Sequence, residues 1–158
     1  MMNRNLSGLM IAVVLVGVAA SGQVRGSVVG TNIALDSLGA TASDNGYFDD
    51  YGRIESAANT IDDDPITYWA GRQYASPQKM WIQFDRPYSI SELYIDERED
   101  AYIRTALVQY RDVNGWHDLV TISKSAADFY YDFGSAPVVA HELYIRVDSL
   151  TAPGSWYN

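Results

Sequence analysis

Ala57-Ala58-Asn59-Thr60-Ile61-Asp62-Asp63-Asp64-Pro65-Ile66-Thr67-Tyr68-Trp69, followed after a polar loop by Met80-Trp81-Ile82-Gln83-Phe84-Asp85, is the stretch on which the fold turns. It joins three consecutive carboxylates, an Asp-Pro turn, a threonine and a tryptophan to a short run of strand character, an unusual content for an ordinary core. Two readings of the acidic run are open. In one, Asp62 to Asp64 form a solvated turn, because Asp bonds its own backbone in turns and Pro fixes φ. In the other they belong to a hard-cation site, since a tight loop offers carboxylates, backbone carbonyls and a Thr hydroxyl to Ca2+ together. The spacing is not that of an EF-hand loop, which excludes that version.

Working outward, strands are expected at 80–85, 90–96, 104–111, 116–122, 129–133 and 143–147. They are short, they alternate, and Gly, Pro or Asp separates them, which indicates an all-β antiparallel sandwich of jelly-roll type. Asn114-Gly115 is a hairpin signal, because it supplies the positive φ that a two-residue turn needs. Upstream, 32–35 and 40–43 read as short opening strands, 44–53 as an exposed loop, and 54–59 as one helical turn. Residues 71–79 form another polar loop, carrying Arg72 and Tyr74.

A-x-N-x-I-D-x-D-P-x-T-x-W followed by W-I-Q-F-D resembles the discoidin domain, or coagulation-factor five/eight type C domain, and its bacterial sugar-binding relatives with a galactose-binding-like fold. N-x-A at Asn32, A-T-A-S at Ala40, the Asn114-Gly115 hairpin ending in Trp116, and the strand Leu143-Tyr144-Ile145-Arg146-Val147 extend the likeness over 32–149. The resemblance implies a ligand surface built from loops at one end of the sandwich. Family members close the fold with a last strand of the type E-x-E-V-x-G, which also offers an acidic metal ligand. Here Gly154-Ser155-Trp156-Tyr157-Asn158 stands in its place, so the expectation is a sandwich lacking that strand. A structural Ca2+ is expected on Asp62, with Asp64 and Thr67 as further oxygen donors and the Asn59 carbonyl completing the set.

Length and composition suit one domain: 158 residues, 47% apolar and 13% aromatic, are enough for a packed core. Arg4, the apolar run from Leu9 to Ala20 and the small residues that follow have the order of a secretory signal peptide, too short to span a bilayer. The expected layout is a signal peptide at 1–22, a linker at 23–31 and the domain at 32–158, with cleavage after Ala20 or Gly22. The product would be secreted, periplasmic or displayed on the cell surface. There is no cysteine, which excludes disulfides and a Cys-linked lipid anchor. Animal discoidin domains usually carry a Cys pair, so the bacterial sugar-binding branch is the nearer likeness.

Acidic residues outnumber basic ones 20 to 11, for a net charge of −9, which argues against nucleic acid or an anionic membrane as partner. Stable membrane insertion is not expected. No G-x-S-x-G, H-E-x-x-H or P-loop is present, and His117 and His141 lack partner motifs, so no catalytic residue is assigned. Binding fits better, because sugars present CH faces to aromatic rings and hydroxyls to fixed polar groups. The candidates, in expected loops or at strand ends, are Tyr47, Phe48, Tyr51, Arg53, Arg72, Tyr74, Trp156 and Tyr157, with Arg98 and Tyr102 nearby. The function expected is non-catalytic recognition of a neutral or cationic carbohydrate. The alternative is protein adhesion or assembly within an exported complex.

Overall fold

A computed structural model describes residues 11–19, 31–47, 49–50, 53–54, 56–62, 64, 68–71, 77–97, 102–133 and 136–151, with backbone alone for 11–19, 31, 49–50 and 53–54. Along these residues run β1 (Ile11–Ala19), β2 (Thr31–Asn32), a 3-10 turn (Asp36–Leu38), β3 (Thr41–Asp44), β4 (Asp49–Asp50) and β5 (Arg53–Ile54). A second 3-10 turn (Ala57–Thr60) precedes β6 (Gln78–Glu97), β7 (Tyr102–Asp112), β8 (Gly115–Ser123), β9 (Phe129–Asp132) and β10 (Val138–Thr151). Every pairing among the described strands is antiparallel.

The strands expected separately at 80–85 and 90–96 are one element, β6. Its two halves serve two layers. Gln78–Gln83 pairs with β10 through Glu142–Val147, and β3 lies on the other side of this half. Tyr88–Glu97 pairs with β1 on one side and with β10 and then β9 on the other. Between the halves, residues 84–87 stand against His141 alone, because Gln83 faces Glu142 and Tyr88 faces Ala140. Pro87, which has no N–H to give to a ladder, falls inside this bulge, where the chain turns from one sheet to the other. Layer one is therefore ordered β3-β6-β10-β7-β8, and layer two is β2-β1-β6 with β9 beyond.

The core lies between the layers. Met80, Ile82, Phe84, Ala106, Val108, Ile122, Leu143, Ile145 and Val147 point inward from the first, and Tyr88, Ile90, Leu93, Ile95 and Ala140 from the second. Each large side chain so enclosed contributes about 1.5–3 kcal/mol relative to exposure. Trp69, which looked out of place for a core residue in the sequence, is fully buried there with Ile61 and Ala57. Between Ile61 and Trp69, Asp62 is half-buried and Asp64 exposed.

The hairpin differs in detail from expectation. Asp112 faces Gly115, so Val113 and Asn114 form the turn, and only Gly115 takes a positive φ, at 123°. The Asp112 carboxylate accepts the Asn114 N–H at 2.7 Å, an Asx turn that replaces the left-handed asparagine anticipated. The stretch 44–53 also carries β4 and the first residue of β5, whose two-residue ladder ends at Ile54. The apolar run read as an export segment forms β1 in the full-length chain, between β2 and the second half of β6.

Candidate ligand-binding rim

Register gathers one set of strand ends at one end of layer one. Gln78 faces Val147, Val147 faces Ala106, and Ala106 faces Ile122, while Asp44 faces Met80. The chain therefore leaves this end after Asp44, Ser123 and Thr151, and re-enters it at Gln78 and Tyr102. These are the connections from which the expected binding residues come.

Asp44 and Asn45 build the near side of the rim. One Asp44 carboxylate oxygen accepts the Gly46 N–H at 2.9 Å; the other accepts the Ala57 N–H at 2.7 Å and so anchors the start of the second 3-10 turn. Asn45 donates its N–H to the Lys79 carbonyl at 3.1 Å, accepts the Lys79 N–H on its side-chain oxygen at 2.7 Å, and donates its amide to the Pro77 carbonyl at 3.1 Å. Tyr47 then forms a β-bridge with Gly71, its ring 40% exposed. A Cβ added at Gly71 would run into the buried Gln78 amide, which would have to move aside. Sequence reasoning missed Asp44, Asn45, Gly71 and Gln78. The only local signal was the Asp-Asn-Gly turn at 44–46, in which the partners of Asn45 lie more than thirty residues away.

At the far side, Glu97 is enclosed. One of its oxygens accepts the Ile103 N–H at 2.6 Å, and the other is paired with the Lys124 ammonium. Lys124 also donates to the Asp128 carbonyl at 3.1 Å, and the Asp128 carboxylate accepts the Glu97 N–H at 2.9 Å. Burial lowers Lys124 to about 8, against the pull of the Asp128 carboxylate. Burial, with Asp128 next to it, raises Asp96 above the usual carboxylate range. Tyr102 is tied to this knot: its hydroxyl donates to the Ser125 carbonyl at 2.6 Å, and the Lys124 ammonium lies 5.4 Å from its ring centroid. With the Glu97 side chain at 0% exposure, no substrate reaches it, so the knot is a clamp on the β6–β7 and β8–β9 connections.

Of the expected ligand-binding residues, Tyr47 stands exposed on the rim and Arg53 has its backbone in β5 opposite Asp50. Phe48, Tyr51, Arg72, Tyr74, Arg98, Trp156 and Tyr157 lie outside the described residues. In the acidic loop, Asp62 accepts the Asp64 N–H at 3.0 Å, which is the turn geometry of the first reading, and the Asn59 side chain donates to the Tyr68 carbonyl at 3.0 Å. Asp64 is exposed, and Thr67 lies outside the described residues. Among the described residues no group of three or more His, Cys, Asp or Glu is placed to hold a metal ion. Two carboxylates and a carbonyl from one bend match the oxygen donors that Ca2+ takes, though they are too few by themselves to fill its shell.

A family model described as the F5/8 type C domain matches residues 39–158. Among solved structures, the chain is similar to the family 32 carbohydrate-binding module of C. perfringens NanJ in complex with galactose. There the identity is 17%, the TM-score 0.59, and the match covers 70% of this chain and 82% of that one. It is also similar to chitosan-binding module 1 of a Paenibacillus sp. IK-5 chitosanase/glucanase, at 17% identity and TM-score 0.64, covering 78% and 90%. A Ruminococcus gnavus GH29 fucosidase in complex with fucose matches at 22% identity and TM-score 0.59, covering 76% of this chain and 25% of that one. These likenesses show a shared β-sandwich fold. The curated proteins include no match.

Proposed function

The chain belongs to the F5/8 type C domain family, and from that premise we propose that it is an exported, non-catalytic module that binds a neutral or cationic glycan at the rim bearing Tyr47 and Gly71. The observation that carries this reading is the register that brings the ends of β3, β6, β7, β8 and β10 to one place. An exposed tyrosine there, on a loop held by Asp44 and Asn45, offers a fixed ring for a sugar face. Support also comes from structural neighbours described with galactose or as chitosan-binding. One ring stacked in water yields little energy, so single-site binding of about −4 to −8 kcal/mol is expected.

Chemical-shift perturbation with galactose, N-acetylhexosamines and chitosan oligomers at millimolar concentration tests this. Shifts should concentrate around 44–56 and 71–79 and be lost in Tyr47→Ala. Shifts with no sugar, together with capture of a protein partner, would move the reading to an adhesion or assembly domain.

Export rests on the order of Arg4, apolar run and small residues, and no helix among the described residues is long and apolar enough to cross a membrane. For the acidic loop, Asp62, Asp64 and Thr67 with the Asn59 carbonyl would hold a structural Ca2+, binding only the folded state and stabilising it by mass action. Millimolar calcium should raise the melting temperature by a few degrees, roughly, and Asp62→Ala should abolish the rise. No change in the parent protein would remove the metal from the account.

A further inference from the structure

Layer one turns its outer face to solvent across five strands, and register arranges that face in rows. Ser43 of β3 stands opposite Trp81 of β6, Trp81 opposite Tyr144 of β10, Tyr144 opposite Gln109 of β7, and Gln109 opposite Asp118 of β8. The next row outward reads Thr41, Gln83, Glu142, Arg111 and Trp116 in the same way. These positions alternate with the buried Ile82, Leu143 and Val108, so they share the outer face.

The rings on this face touch. Trp81 and Tyr144 lie 5.2 Å apart, Trp116 and Tyr144 5.9 Å apart, and the Arg111 guanidinium sits 6.0 Å from the Trp116 ring. Around them the polar side chains are held in pairs: Gln109 donates to Asp118 at 2.6 Å, and Arg111 meets Glu142 at 3.4 Å. An antiparallel sandwich ordinarily gives such a face to polar residues. Mutual packing accounts for the half-buried Trp81 and Tyr144, but it leaves Trp116 41% exposed. A connected aromatic patch with a polar rim marks an interaction surface.

The chemistry selects the occupant. Lys79, Arg111 and Arg146 balance Asp118, Glu142 and Asp148 on and beside this face, so it is electroneutral in a chain of net charge −9. That disfavours nucleic acid, anionic lipid and cationic polymers alike. Ring faces beside planar amide and guanidinium groups suit a ligand with CH faces and neutral hydroxyls. Joined through Tyr144, the Trp81 and Trp116 ring centroids lie at most about 11 Å apart, which is longer than a single sugar.

We propose that this sheet face is a second glycan-binding surface, separate from the rim, that takes an extended neutral oligosaccharide laid across β6, β10, β7 and β8. It stands whether or not the rim binds sugar. Isothermal titration of the full chain with glucose, cellotriose, cellohexaose and mannohexaose tests it. At least one hexaose should bind tenfold or more tighter than glucose. Trp116→Ala should weaken that hexaose at least tenfold with the melting temperature kept, and Gln109→Leu, which removes only a surface hydrogen-bonding group, several-fold. The Trp116-dependent part of hexaose binding should persist in Tyr47→Ala, which separates this surface from the rim. Absence of hexaose binding at millimolar concentration would overturn the proposal, as would binding indifferent to Gln109→Leu and to a folded Trp116→Ala. Concentration-dependent self-association lost in Trp116→Ala would assign the face to a second copy and overturn it too.

Discussion

The Glu97 side chain is at 0% exposure, with Lys124 and the Ile103 N–H on its two oxygens. Removing the carboxylate leaves the Lys124 ammonium without its partner in the interior, a loss of about 3–5 kcal/mol, which is the effect expected of Glu97→Gln. The pH dependence follows from the same site. Lys124 titrates near 8 in the folded chain against an ordinary 10.5, so between these values the unfolded state binds the extra proton. Stability therefore rises with pH across that window. Tyr94, Tyr130 and Tyr144 are raised in the fold, chiefly by burial, and so reverse the trend once pH passes the ordinary tyrosine value of 10.0. Urea unfolding from pH 7 to 11 should show a stability maximum near pH 10, and Lys124→Met should lose the rise. A flat profile in the parent protein would disprove the assignment.

Among the elements, β6 is the one both layers share, and β1 lines its second half. Cleavage after Ala20 or Gly22 would take β1 away and leave the Tyr88–Glu97 backbone unpaired on that side, an edge of the kind that promotes association between chains. Hydrogen exchange on a chain beginning at residue 23 should be faster over 88–97 than in the full-length chain and unchanged over 78–83, where β3 and β10 remain. Equal protection of the two halves would show that β1 adds nothing to the sheet. Turn and bulge chemistry acts at this scale as well: Gly115 closes the β7–β8 hairpin, and Pro87 marks the corner of β6.

For the molecule as a whole, net charge filters partners. At −9, long-range attraction favours cationic over anionic ligands. If the rim takes amino sugars, binding of chitosan oligomers should weaken severalfold as salt rises from about 10 to 150 mM, because screening shortens the range of the field. Galactose binding should not change. Equal salt response for both would mean that charge plays no part in recognition.

Strand content was legible because inward residues alternate with period two: Leu143, Ile145 and Val147 reveal β10 as plainly as Met80, Ile82 and Phe84 reveal β6. The family was legible in the fixed order of Asn59, Asp62, Pro65 and Trp69. The sequence by itself therefore determined the class of fold and the absence of disulfides, both of which are local in the chain. Pairing across the sheets was not local. The join of two expected strands into β6 depends on β10 bridging both halves, and the burial of Trp69 depends on two layers closing over it. The clamp of Glu97 by Lys124 joins residues 27 apart in sequence, and the Trp81-Tyr144-Trp116 face draws on three strands. Only the tertiary structure decided these, because each rests on contacts whose partners the chain order does not place side by side.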